Sequence, residues 1–458
     1  MEGFVHPDFA PVTEKVQKIM AGRRASGGMA VAVYHHGEPV VDVWTGVRNA
    51  AGDPWERDTM ATSFSTTKGV VATIVHRLVD QGLLDYDATV ATYWPEFAAA
   101  GKEQITLRHL LTHQSAMHDI RRLAHSTEQL LDWNYMVEQL EAAPPVWDVG
   151  VRSGYHALTY GWLVGEVIRR VTGLTIDEAF QREIVEPLGL EGGMHVGAPE
   201  SVRDRIAPPA TDVKKLDRLF RFSSWLSRFD AFKPLYDAMV VEDYIDYSLT
   251  PRIHDGEIPA ANGVFTARSL ARMYSAMATP DAFDGDPLVS PATLAEATRA
   301  QGQLGPGGRR TDRKPLGRDA VIGFEMRWRL GYHGAFTSAG ILPNGFGHFG
   351  FGGSGAWADP DSGLAVAMVL NQIGGSPFGD TKMLRIGGAA IRAAKRRTGR
   401  PQPPCGISAR GVALSGTIRA LIVRRGDRGA GLVRCERAGW SPGYGWGGRG
   451  SRRRRRRR

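Results

Sequence analysis

The sequence predicts an α/β (α+β) protein: an antiparallel sheet flanked by helices, formed from both chain ends, with an all-helical domain inserted between the halves. Three observations carry this expectation. A hairpin pattern opens the chain, helical periodicity dominates its middle, and strand patterns return after residue 325, followed by one more helix. Strands separated by so many helices complete one sheet only if the chain returns to the first half, a non-local pairing that folds slowly.

Residues 8–21 have helical spacing. Residues 29–34 and 40–44 are β-branched and aromatic runs joined by the tight turn His35-His36-Gly37-Glu38. Residues 66–81 place Val70, Val71, Ile74, Val75, Leu78 and Val79 at helical spacing, and Gly82 supplies the stop. From about 106 to 300 the pattern is mainly helical, with helices expected at 107–113, 127–140, 158–171, 176–184 and 267–278. Met326, Trp328 and Leu330 then alternate as in a strand, 345–355 is rich in glycine, and 364–370 is a short apolar strand. Residues 380–397 read as a closing helix with Asp380 as its N-cap, weakened by Gly387 and Gly388. The expected organisation is one domain over 1–398, its α/β part at about 5–65 and 315–398 and its helical part at about 66–314, followed by a tail at 399–458.

Composition narrows the function classes. Of 458 residues, 42% are apolar and 23% charged, which excludes a fibrous or mostly disordered chain. No run of 18 apolar residues exists, so no membrane span is expected, and the N-terminal stretch lacks the apolar core of a secretory signal. The net charge of +9 is misleading. Residues 401–458 hold 15 arginines and two acids, so the first 400 residues net −4, and no nucleic-acid partner is expected for the body. Both cysteines, Cys405 and Cys435, also lie in the tail, and a cysteine-free body fits the cytoplasm. The tail ends in seven arginines, which repel one another and stay solvated. It reads either as an arm for nucleic acid or anionic lipid, or as an accidental extension by out-of-frame translation; its composition is a weak functional signal, and the second reading is adopted.

Chemistry concentrates in three places. Ser65-Thr66-Thr67-Lys68 is an S-x-x-K at a helix start. Residues i and i+3 share a helix face, so Lys68 sits one turn from the Ser65 hydroxyl. A serine hydroxyl becomes a nucleophile when a nearby base takes its proton, and an amine whose pKa is lowered can do so. Gly154-Tyr155-His156-Ala157 precedes a helix. Its tyrosine could share a proton with the first pair, an adjacent ammonium lowering its pKa, or be a core residue with a satisfied hydroxyl. Gly347-His348-Phe349-Gly350-Phe351-Gly352-Gly353-Ser354 is a glycine-rich edge along which a substrate could approach the backbone, or a turn with a surface histidine.

In this order the three motifs resemble the serine β-lactamase-like superfamily, which includes class C β-lactamases, D,D-peptidases and family VIII carboxylesterases. Its pattern is S-x-x-K on a helix, Y-x-N in a loop, and K-T-G or H-x-G on a strand. Ile105-Thr-Leu-Arg-His-Leu-Leu-Thr-His113-Gln-Ser115 is similar to its I-T-x-x-x-L-L-T-H-x-S-G segment. Glu257-Ile-Pro-Ala-Ala-Asn-Gly263 resembles the lead-in to a late helix of the esterase branch, and Ala358-Asp-Pro-Asp-Ser-Gly363 its strand-to-strand turn. The resemblance spans roughly residues 8–398. It implies a β-lactamase/transpeptidase-like fold, with Ser65 as the nucleophile that forms an acyl-enzyme and Lys68 and Tyr155 as a coupled proton relay. It also implies an oxyanion hole from the N–H groups of Ser65 and Phe351, a substrate edge at His348 and Gly350, and neither cofactor nor metal. Three positions depart from the pattern. Ala157 replaces the Asn of Y-x-N, His348 the Lys of K-T-G, and Ala116 the Gly after the serine of the histidine segment. The first two losses remove an amide and a cation suited to a β-lactam. They favour a carboxylesterase acting on small or medium acyl esters, with a β-lactamase or D,D-peptidase, and a non-catalytic binding or sensor protein, as alternatives.

The middle of the chain is dense in apolar residues at Leu216, Leu219, Phe220, Phe222, Trp225, Leu226, Phe229, Phe232, Leu235 and Tyr236. They form either a wall for an acyl chain or, the reading adopted, packing onto the helical domain. Gly345-x-Gly347-x-x-Gly350 and Gly350-x-Gly352-x-x-Gly355 lack the strand-to-helix context of a dinucleotide fingerprint. His109, His113 and His118 sit in no zinc-binding pattern, and residues 1–398 hold neither a G-x-S-x-G nor a Walker sequence.

Overall fold

The structure, a computed structural model, describes residues 1–22, 27–211, 213–230, 232–283, 285–305, 310–373 and 380–397; the arginine-rich tail lies outside them. Its strands are β1 (Glu2–Val5), β2 (Gly28–His35), β3 (Glu38–Gly46), β4 (Met60–Thr62), β5 (Met194–Val196), β6 (Ile206–Ala207), β7 (Gly263–Phe265), β8 (Gly302–Leu304), β9 (Arg310–Pro315), β10 (His333–Thr337), β11 (Gly340–Phe349), β12 (Gly355–Asp359) and β13 (Leu364–Leu370). Seven of them form one antiparallel sheet in the order β1-β3-β2-β13-β12-β11-β10. The two chain ends meet at its centre, where Val31 of β2 faces Met368 of β13 and Val33 faces Val366.

Every residue of β2 and β13 is buried, because helices cover both faces of the sheet. Alternation assigns the faces. Met29, Val31, Val33, Val366 and Met368 pack beneath α1 (Ala10–Met20) and the last helix, Lys382–Arg396. Ala30, Ala32, Tyr34, Ala365 and Ala367 belong to the core of the other face, with Leu270, Ala271 and Tyr274 of the helix Ala267–Ala278. Small residues on that side let the helix come close.

The expected helices at 8–21, 66–81 and 267–278 and the strands at 29–34, 40–44 and 364–370 form within two residues of their expected ends. Elsewhere local chemistry intervenes. The 127–140 helix breaks at Asp132, whose ψ is 101° and whose carboxylate instead caps a new helix by accepting from the Tyr135 N–H at 3.0 Å. Met326, Trp328 and Leu330 do not form a strand, because Arg327 between them adopts φ 52°. The inserted middle is mainly helical but not wholly so. β4 to β7 make a four-stranded sheet and β8 pairs with β9; strands of two or three residues are too short to show a period. Gly387 and Gly388 do not weaken the last helix but seat it. A methyl group on Gly388 would lie 2.1 Å from Ser338 Oγ, and one on Gly387 3.0 Å from the Trp357 ring.

Candidate active site

Helix α2 (Thr66–Asp80) is buried along nearly its whole length, which fixes its first turn against the body. Ser65 precedes it. The approach to Ser65 is strained, since Phe64 holds φ 45°, a left-handed conformation that costs a non-glycine residue about 1–2 kcal/mol. Ser65 occupies the N-cap position, yet its hydroxyl caps nothing. It meets Lys68 Nζ at 3.0 Å instead, and the Tyr155 hydroxyl at 2.8 Å.

The amine has two further partners, the carbonyl oxygens of Ala157 at 2.7 Å and Ala260 at 2.9 Å. No carboxylate pairs with it among the described residues, and it is fully buried. Burial therefore pulls the Lys68 pKa well below the ordinary lysine value. Tyr155 moves the other way. Burial raises its pKa, and the hydrogen bond to Ser65 only partly offsets that. The sequence expectation that a neighbouring ammonium lowers it is thus corrected: desolvation of the phenolate dominates.

Backbone carbonyls at 157 and 260 hold Lys68, so the side chain at 157 is immaterial to that contact. Ala260 is placed by the turn 257–262. The Glu257 carboxylate caps the helix Ile176–Phe180 through the N–H groups of Ile176 and Asp177, and Asn262 ties the turn to Ile253 O and Gly256 O. Gly161 of the helix Tyr160–Thr172 permits this approach, because a side chain there would meet Ala260 N at 2.8 Å.

Sequence reasoning missed Asp319. This buried carboxylate accepts from the N–H groups of Tyr155 (3.0 Å), Val321 (2.9 Å) and Ile322 (3.2 Å) and from the Trp328 indole (3.0 Å), whose ring stacks on Tyr155. It fixes both the loop and the ring that aim the phenol. Its only local signal is an aspartate ahead of two apolar residues whose N–H groups it accepts, a common turn pattern. Asp319→Ala should cost about 3 kcal/mol or more of stability by leaving buried donors unpaired. It should also lower kcat in the folded fraction, with Asp319→Asn restoring part of it. Thermal unfolding together with kcat well below the transition checks this, since a purely structural role would leave kcat unchanged.

His113 packs edge-on to Tyr155 and Trp328 and pairs with His156, which meets Ser115 Oγ at 2.7 Å. The three histidines weighed as metal ligands serve separate ends, for His109 caps the helix Leu107–Leu111 from Thr106 and His118 lies against Trp147. Ala116 adopts φ 58°, where the family pattern has glycine, and pays for its methyl group in strain.

The third motif ends β11. His348 is neither a surface residue nor part of the cleft lining. Its ring is buried, roughly parallel to that of Tyr155 at 6.2 Å, its Nδ1 lies 3.0 Å from Phe349 O, and burial keeps it neutral. Gly350 does not offer its N–H either, which donates to Ser354 O at 2.8 Å. Its value is room: a side chain there would meet Ser63 O at 2.2 Å, so only glycine lets the strand end reach the turn before Ser65. The N–H groups of Ser65 and Phe351 donate to no acceptor among the described residues, and both residues line the same cleft.

That cleft, about 170 Å³, opens beside Ser65. Its walls include Phe64, Leu158, Phe222, Leu226, Phe232 and Tyr236, and among the described residues none that lines it is charged. Part of the aromatic middle segment is therefore wall rather than packing. The side chains of Leu216, Leu219 and Phe220 lie outside the described residues.

A serine that follows a strained residue, bonded to a desolvated amine and a phenol and beside two open N–H groups, has the chemistry that acyl transfer needs. Comparison with known proteins agrees. The β-lactamase family profile matches residues 12–390. Esterase/beta-lactamase LipL of Mycobacterium tuberculosis (strain ATCC 25618 / H37Rv) is 40% identical over 383 residues, 81% of this chain and 83% of LipL. The crystal structure of a family VIII carboxylesterase superposes with a TM-score of 0.72 at 32% identity, covering 86% of this chain and 99% of that one. A penicillin-binding protein homolog from Caulobacter crescentus gives 0.69 at 32% identity over 85% and 99%. The chain belongs to the β-lactamase family of serine hydrolases. No helix among the described residues is long and apolar enough to cross a membrane.

Proposed function

We propose that this protein is a cytoplasmic carboxylesterase that cleaves small or medium acyl esters through an acyl-enzyme on Ser65. The observation that carries the ester reading is the uncharged cleft: among the described residues, nothing in its lining would receive the carboxylate of a β-lactam or a peptide terminus.

The divergent pKa shifts divide the proton chemistry. A neutral amine has two N–H bonds and one lone pair. With its N–H groups given to Ala157 O and Ala260 O, Lys68 turns the lone pair to the Ser65 hydroxyl. Lys68 takes the hydroxyl proton as Oγ bonds to the ester carbon. The carbonyl oxygen becomes an oxyanion, held by the N–H groups of Ser65 and Phe351. Collapse breaks the bond to the alcohol, which leaves with a proton from the Tyr155 hydroxyl, and Lys68 replaces that proton. Water then attacks the acyl group, the relay runs in reverse, and the carboxylic acid departs. Tyr155, held protonated by burial, is the donor and Lys68 the base.

Paired kinetics test this. p-Nitrophenyl butyrate should turn over with kcat/KM at least about a hundredfold above nitrocefin, since a missing charge partner is worth several kcal/mol. Comparable values would favour a β-lactamase, and acylation without steady-state turnover a sensor.

A further inference from the structure

Beside the cleft mouth, the segment that forms its outer wall turns aromatic rings to water. Phe222, Trp225 and Phe229 follow at helical spacing; the first pair stacks at 5.9 Å and the second meets edge-on at 5.5 Å. They are 55%, 49% and 52% exposed, and Phe232 is 37% exposed. A contiguous patch of large rings is unusual on a water-facing surface and marks an interaction site. Its charge is also unusual. Residues 213–233 carry six lysines and arginines against two aspartates, +4 within a body that nets −4. Arg218 and Arg228 are exposed beside the rings.

We propose that this segment docks on an anionic lipid surface and that esters enter the Ser65 cleft from that surface. Two rings, Phe222 and Trp225, on a helix (Val213–Leu226) rich in cations, with Phe229 and Phe232 just past its end, fit an interfacial segment whose rings enter the acyl boundary while its cations meet anionic headgroups. The local positive charge selects lipid over an apolar protein partner. Continuity supplies the route: Phe222 and Phe232 belong both to the exposed patch and to the cleft lining. Delivery to Ser65 rests on the esterase reading, whereas docking does not.

The test uses the full chain and the double variant Trp225→Ser, Phe229→Ser, which touches neither the cleft lining nor any lysine or arginine. On vesicles of phosphatidylcholine with phosphatidylglycerol, the variant should lose at least about tenfold in partition coefficient, although its arginine tail is intact. Vesicles of phosphatidylcholine alone should bind the unaltered chain more weakly. Brominated acyl chains should quench a component of tryptophan emission that Trp225→Phe lacks. Hydrolysis of monomeric p-nitrophenyl acetate should stay within about twofold, while hydrolysis of an ester embedded in the vesicles falls with partition. Unchanged partition overturns the proposal. So does sedimentation showing a dimer that the double variant disperses, because the patch then seats a second copy. Partition that falls while no form hydrolyses any ester would retain the docking surface and remove the esterase reading.

Discussion

Ser65→Ala is expected to reduce ester hydrolysis to the uncatalysed background, to abolish the mass increase that a fluorophosphonate leaves on the protein, and to leave the fold intact. The last point follows from the geometry. A serine at a helix N-cap ordinarily holds a backbone N–H, and its loss costs about 1 kcal/mol. Here the hydroxyl caps nothing and, among the described residues, bonds only to Lys68 and Tyr155. Helix α2 owes its stability to its buried sides, so the thermal midpoint should barely move. Peptide mapping of the labelled unaltered chain should place the adduct on residues around 65. A label elsewhere, or hydrolysis well above background in the variant, removes the nucleophile assignment.

Lys68→Ala is expected to lower kcat by about 10²–10⁴-fold, the range for a lost general base, with little change in KM because the amine lies behind the cleft rather than in its wall. The pH profile gives the sharper signature. Burial depresses the Lys68 pKa, so the reactive neutral amine persists well below the pH at which an ordinary lysine charges. The rate should hold as pH falls until it passes that depressed pKa, and then drop as the amine binds a proton. The variant should lose this acid limb. A limb that survives the substitution would assign the base elsewhere.

Much of this was legible in the sequence because it depends on short-range pattern. Ser65 and Lys68 are three residues apart, and the hairpin, helix α2 and β13 declare themselves by period. What escaped has a common cause. The carbonyls of Ala157 and Ala260 hold Lys68 whatever their side chains, so no residue type announces them. Asp319 acts on Tyr155 across 164 positions. His348 and Gly350 were read as substrate contacts because they flank the third motif, whereas their packing, a buried ring and a missing side chain, shows only in three dimensions. The aromatic segment could not be divided between wall and packing by hydrophobicity alone; Trp225 and Phe229 are half exposed, and Phe232 serves both faces.

The central pairing of β2 with β13 has a consequence for biosynthesis. A ribosome that stalls before residue 364 releases a polypeptide that already carries the serine, the amine and the phenol. Its inner hydrogen-bonding edge is bare, and β12 has no neighbour on one side. Such a fragment is a candidate for aggregation rather than for premature hydrolysis. If competence needs the completed sheet, the appearance of activity during translation would time the closure of the whole body.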